Sequence, residues 1–237
     1  MRLVCVAKSG GGLHVAAGNS VFICNMYGYS NTQYLSFEKG LDSTVISVSC
    51  SDDGRWIFCS YANKWVCCWN ASTRELAGSV MCNKRPTAMV HYSFSDPVSI
   101  GEKREILMIS DKAGEIWGSD VPGLRGLVRV CGHTASVVTD MLLSPCGTLL
   151  VSADRDEKIR VTHLPQLADI ASYCLAHRSV VTSLSFLRLC ERDVLISCGW
   201  DRKMCAWEHE RGRLCGETEF VMKERECSSV VGETTER

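Results

Sequence analysis

The chain has 237 residues, of which 46% are hydrophobic, enough to bury a sizeable core. A formal charge of −1 excludes a generally basic surface of the kind that holds nucleic acid by itself, so an RNA-related role is expected to draw most of its positive charge from a partner. The sequence contains no run of eighteen apolar residues, which excludes a helical membrane span.

In chain order, the opening MRLVCVAKSGGGLHVAAG has one early Arg and a short apolar run broken at Lys8, a poor secretory signal. An intracellular setting with reduced thiols is therefore expected. The segment Ser9–Ser20, SGGGLHVAAGNS, has glycines but not the G-x-G-x-x-G spacing of a phosphate-cradling loop, and no helix pattern follows it. It reads as a hairpin turn between strands. The fifteen cysteines are odd in number and include no C-x-x-C pair that could converge on a tetrahedral metal ion. Runs such as WIFC and LISC place them as small core residues, and no metal is expected. Asn70 opens a formal N-A-S glycosylation signal, which stays bare without secretion.

Further along, the chain repeats itself. GHTASVVTDMLLSPCGTLLVSADRDEKIRVTHL from Gly132 overlays AHRSVVTSLSFLRLCERDVLISCGWDRKMCAW from Ala176, so that His133 falls on His177, Ser152 on Ser197 and Asp156 on Asp201. A fainter copy spans Ser43–Trp69, with Asn63 at the Asp position, and another ends near Ser119, with Ala113 there. Within each copy, β-branched, aromatic and Leu-rich runs alternate with hairpin signals such as SDDG, SPCG and DRDE. A period of about 40 to 45 residues, with a Gly-His-like opening and a Trp-Asp-like end, marks WD40-type β-propeller blades of four strands. The expected architecture is all-β, with five recognisable blades at about 1–41, 42–83, 84–131, 132–175 and 176–216, then a charged, disordered tail at 217–237.

His177, Ser197, Asp201 and Trp207 have the spacing of the hydrogen-bonded set that ties such blades together, and His133, Ser152 and Asp156 repeat three members, with Thr162 where Trp would stand. The same residue types invite a hydrolase triad. A nucleophile is not normally stamped twice at blade spacing, and no G-x-S-x-G elbow is present, so a structural role is expected and no catalytic residue is assigned. In SADRDEKIRV, Ser152–Val161, the charged middle becomes the turn between the second and third strands of the fourth blade. Ile159 and Val161 then share one face of the third strand, and Lys158 and Arg160 the other.

The wording of residues 106–207 is more particular than a generic propeller. SDKAGEIW at Ser110, GHTASVVTD at Gly132 and LLVSADRDEKIRVTHLPQ…SYCLAHRSVVTSLSF closely resemble the non-catalytic WD40 subunit of tRNA (guanine-N7)-methyltransferase. The resemblance implies a chain without chemistry of its own, heterodimeric with a catalytic subunit that binds S-adenosylmethionine and forms N7-methylguanosine in the tRNA variable loop. This chain would hold no cofactor, would stabilise that partner, would meet tRNA mainly through the complex and would work in the nucleus. The stretch matching Arg155–Arg160 lies in the family's contact region, which makes Lys158, Arg160 and Arg155 the expected docking residues. The family propeller is expected to have seven blades, so five suggest a shortened form, ahead of a propeller that closes on five. The alternative is a general WD40 scaffold such as a ubiquitin-ligase substrate receptor, although WDRK at Trp200 and WEHER at Trp207 do not fit the W-D-x-R ending of such receptors.

Overall fold

A computed structural model describes residues 43–95 and 103–220 with their side chains, and the backbone of four strands before them at 3–9, 12–17, 20–25 and 33–35. The strands form five four-stranded antiparallel sheets, each a meander in chain order. Blade I holds β1 (Leu3–Ser9), β2 (Gly12–Ala17), β3 (Ser20–Asn25) and β4 (Gln33–Leu35). Blade II holds β5 (Val45–Cys50), β6 (Trp56–Tyr61), β7 (Trp65–Asn70) and β8 (Leu76–Met81). Blade III holds β9 (Pro86–Ser95), β10 (Lys103–Asp111), β11 (Glu115–Asp120) and β12 (Val128–Gly132). Blade IV holds β13 (Val138–Leu143), β14 (Leu149–Asp154), β15 (Ile159–His163) and β16 (Ile170–Cys174), and blade V holds β17 (Val181–Leu189), β18 (Arg192–Gly199), β19 (Lys203–Glu208) and β20 (Arg213–Glu219). The first strands β1, β5, β9, β13 and β17 touch one another in succession, the packing of propeller blades around an axis.

The apolar runs follow from this packing. A strand sandwiched between two sheets is buried on both faces, so it reads as a continuous hydrophobic run rather than an alternation. In β14, LLVSAD, Leu149, Val151 and Ala153 join the core shared with blade V, and Leu150 joins the core shared with blade III. Among the described cysteines, Cys59, Cys67, Cys68, Cys82, Cys174 and Cys205 are buried free thiols, as their apolar surroundings predict. Asn70 is tied into the turn after β7, where its side-chain oxygen accepts the N–H groups of Ser72 and Thr73, both at 2.9 Å.

Two expected boundaries shift. Gly132 belongs to β12, one residue beyond the third blade as drawn from sequence, and β20 carries blade V on to Glu219, so Glu217–Glu219 are strand and not tail. An outermost strand faces water along one edge and tolerates charge, which is why its pattern fades into that of a tail. Lys203 on β19 holds Glu217 at 2.7 Å. The rest of the expected tail, 221–237, lies outside the described residues.

One end of the propeller gathers the turns between second and third strands together with the connections between blades. Cys82 N–H donates to the Lys64 carbonyl (2.9 Å), Lys112 to Arg85 (3.0 Å), His133 to Gly114 (2.8 Å), Arg155 to Val137 (2.9 Å) and Trp200 to Val180 (2.9 Å). Residues far apart in the chain therefore form a single surface. The charged turn of blade IV lies on it.

Candidate functional site

In blade V the expected hydrogen-bonded set is complete. The Trp207 indole N–H donates to Ser197 Oγ at 2.8 Å, Ser197 lies 2.8 Å from His177 Nε2, and His177 Nδ1 lies 2.9 Å from Asp201. The indole can only donate, so the serine proton is free to face Nε2, and Nδ1–H is left to face the carboxylate. Asp201 also accepts the N–H groups of Arg178 (2.9 Å) and Lys203 (3.1 Å). Burial works to raise its pKa, but those amides and the His177 ring outweigh burial and hold the carboxyl below its ordinary value.

Blade IV reaches the same arrangement through a different acid. His133 Nε2 lies 2.7 Å from Ser152 Oγ as expected, but its Nδ1 meets Asp154 at 2.9 Å and not Asp156. Asp156 is exposed in the turn and donates its own N–H to Asp154 at 2.8 Å, with Lys158 N–H adding a second bond at 3.0 Å. Here too burial raises the pKa, and the His133 ring and the turn amides pull it below the ordinary value. Asp156 is therefore not a member of the set. Its alignment with Asp201 is correct in pairing register, since Ser152 faces Arg160 as Ser197 faces Cys205, but the counterpart of Asp154 in blade V is Gly199. A Cβ at Gly199 would lie 2.9 Å from both His177 Nδ1 and Asp201 Oδ1. The glycine leaves a hole that Asp201 fills from two residues downstream, whereas Asp154 fills it from the strand itself. A sequence signal existed, because Ser152 and Asp154 are two apart on one strand and so share a face.

The other members also differ between blades. Thr162, in the Trp207 position, is fully buried, and its hydroxyl lacks a hydrogen-bond partner. In blade III, Asp111 takes the turn N–H of Ala113 at 2.7 Å and the Trp117 indole N–H at 3.0 Å, so the acid again comes from the strand end and not from the Ala113 position. In blade II, Asn63 stands in the turn, its N–H donating to Ser43 Oγ at 3.0 Å.

The serine, histidine and aspartate of these sets have the connectivity of a hydrolytic triad, but they are sealed. Ser152 and Ser197 are wholly buried, and the Ser197 oxygen already accepts the indole N–H. A nucleophile must reach an acyl carbon beside an oxyanion hole, and these hydroxyls reach none. The sets pin the blade turns. Among the described residues no group of His, Cys, Asp and Glu could hold a metal ion.

The blade IV turn presents the expected docking residues unequally. Arg155 and Lys158 are exposed. Arg160 is not on the surface as expected, being only 9% exposed. It lies on the blade III side of β15, where Nη1 donates to the Gly132 carbonyl at 2.7 Å and Nε and Nη2 lack a hydrogen-bond partner. Alternation along the strand correctly puts Lys158 and Arg160 on one face; only the neighbouring blade decides that this face is covered at Arg160 and open at Lys158. Two grooves flank the turn. One, of about 520 Å³, is lined by Glu157, Lys158, Leu175, Arg178 and Lys203, among others. The second, of about 370 Å³, is lined by His133, Thr134, Lys158, Arg160, Tyr173 and Leu175, among others. Lys158 and Leu175 belong to both, so the two make one trough, with Leu175 63% and Tyr173 44% exposed along it. Sequence reasoning did not single out these apolar side chains, because each sits in an ordinary outer-strand or connecting position.

Residues 128–236 match the WD40 domain of the tRNA methyltransferase TRM82, and residues 33–70 match the WD domain, G-beta repeat. Over 94 residues the chain is 43% identical to the tRNA (guanine-N(7)-)-methyltransferase non-catalytic subunit wdr4 of Dictyostelium discoideum, covering 40% of this chain and 20% of that protein. Over 106 residues it is 33% identical to the non-catalytic subunit wuho of Drosophila grimshawi, covering 45% of this chain and 27% of that one. The matched stretch thus spans about a fifth to a quarter of the curated relatives' length. Among solved structures, a chain from a mitotic checkpoint complex superposes with a TM-score of 0.73 at 16% identity, covering 92% of this chain and 65% of that one. The computationally designed Ika8 protein superposes with 0.67 at 18%, covering 91% and 61%. At these identities the structural likeness concerns the fold alone.

Proposed function

We propose that this chain, similar over residues 128–236 to the TRM82 WD40 domain, is the non-catalytic subunit of a tRNA (guanine-N7)-methyltransferase. It binds and steadies a catalytic subunit that carries S-adenosylmethionine and forms N7-methylguanosine in the tRNA variable loop. The nucleus is the expected place of action. The observation that carries the docking assignment is the blade IV turn, which lies within the matched stretch and holds Arg155 and Lys158 exposed beside a trough with apolar Leu175 and Tyr173 in it. Exposed bases around apolar anchors favour recognition and orientation of a protein surface that offers carboxylates. Arg160 has a second role in this reading. It joins blade IV to blade III through the Gly132 carbonyl, beside Cys131, and so holds one wall of the trough in place.

Co-purification with the catalytic subunit tests this. Reversing Arg155 and Lys158 together to Glu is expected to weaken the complex at least tenfold with the propeller still folded. A complex of unchanged affinity would overturn the docking assignment, and no complex with the unaltered chain would overturn the function.

A further inference from the structure

The end of the propeller that carries the blade IV turn is not uniform. Its blade IV and V part mixes signs, with Arg155 and Lys158 beside Asp156 and Glu157, and displays the apolar Leu175, Tyr173 and Trp200, the last 72% exposed. Its blade II and III part presents Lys64, Lys84, Arg85 and Lys112, all exposed and none in an ion pair among the described residues. The described acids there are already engaged. Asp111 is buried and bonded to its own turn and to Trp117, and Glu115 is paired with Arg129. Backbone bonds set these cations side by side: Cys82 N–H joins the Lys84 loop to the Lys64 turn, and Lys112 N–H joins the next turn to Arg85. The near-zero formal charge of the whole chain conceals this row, because charge acts on a ligand locally within about a Debye length.

From this row we infer that the blade II and III part binds the phosphate backbone of RNA directly, a role beyond the docking proposed above. Three features favour RNA over an acidic protein. The cations are mostly lysines, which protein interfaces deplete. The patch shows no exposed aromatic side chain among the described residues, its exposed apolar neighbour being Met81 at 56%, so the aromatic anchors that concentrate protein-binding energy lie at blades IV and V. Flexible point charges on successive turns suit a repeating phosphate chain, which positions a protein without reading its bases. The blade IV and V part, with its apolar anchors, is left for the protein partner.

The test is fluorescence anisotropy of a labelled RNA duplex of about 20 base pairs against the whole chain, without the catalytic subunit, between 50 and 200 mM salt, these being roughly the conditions in which counterion release is read. Salt-dependent binding is expected. Reversing Lys64, Lys84, Arg85 and Lys112 to Glu should lower affinity at least tenfold and flatten the log-affinity against log-salt slope by about 3, while exchanging the three lysines for Arg preserves both. Should the fourfold variant melt below the unaltered chain, Lys84→Glu with Arg85→Glu alone is expected to remove about half of the slope change. Unchanged affinity and slope in a folded variant would overturn the inference, as would a polyglutamate peptide that binds the unaltered chain as tightly as the duplex does. Because the catalytic subunit is absent, this outcome is independent of docking, and the Arg155 and Lys158 reversals should leave most RNA binding in place.

Discussion

Blades IV and V build one hydrogen-bond pattern from different positions of the chain. In blade V the acid is Asp201, out in the turn, and a glycine at the strand end makes room for it. In blade IV the strand end itself supplies Asp154, and the aligned Asp156 is left in solvent. Blade V adds an indole donor to its serine, whereas blade IV buries a threonine hydroxyl that donates to nothing. What is preserved is the requirement to satisfy a buried histidine, not the residue that satisfies it. A buried imidazole N–H without an acceptor costs more than a side chain reaching from a neighbouring position.

The comparison breaks most sharply at the acid. Asp154→Ala leaves His133 and two turn amides without their acceptor and is expected to cost about 3 kcal/mol in urea unfolding, while Asp156→Ala stays within about 0.5 kcal/mol. Equal costs would restore the sequence alignment as the structural one. Next comes the hole in blade V. Gly199→Ala, whose Cβ would crowd His177 and Asp201, is expected to cost about 2 kcal/mol, and Gly199→Asp combined with Asp201→Gly should recover part of this by adopting the blade IV arrangement.

The seam between the two blades is expected to make stability pH-dependent. Asp140 on β13 accepts the N–H of Leu184 on β17 at 2.7 Å, and burial pushes its pKa from 3.8 up to about 6 despite that bond. The folded chain therefore holds more protons than the unfolded one between about pH 4 and 6, so stability falls as pH rises through that window, by about 3 kcal/mol at most. Asp140→Asn should flatten this part of a pH series. Asp154 and Asp201, with lowered values, act oppositely: their contribution is present above the ordinary carboxylate range and is lost as pH falls below it. The smallest effects belong to the fourth member of each set. Trp207→Phe loses the indole bond and about 1 kcal/mol, whereas Thr162→Val, which removes an unsatisfied hydroxyl, is expected to be neutral or to gain up to about 1 kcal/mol in thermal unfolding.

Much of the fold was legible because its signals are local. Strand runs, hairpin signals and the repeat period located all five blades, and the blade V set stood at its expected spacing with all four members bonded. The site was legible in part. The blade IV turn fell where SADRDEKIRV placed it, with Lys158 and Arg155 exposed. Asp154 was missed because overlaying repeats assigns partners by position, and position does not reveal that Gly199 is a vacancy. Arg160 was misplaced because a strand pattern reports which face a side chain is on and not what stands opposite.

By itself, then, the sequence determined the all-β repeat, the small-residue role of the buried cysteines and the structural reading of His, Ser and Asp, since periodicity and turn chemistry act over a few residues. Only the tertiary structure decided which aspartate completes blade IV, that Arg160 bridges to the Gly132 carbonyl, and that Lys64, Lys84, Arg85 and Lys112 share one surface. Burial and proximity are set by backbone and side chains 21 and 28 residues away in the chain at Asp154 and Arg160, close only in space.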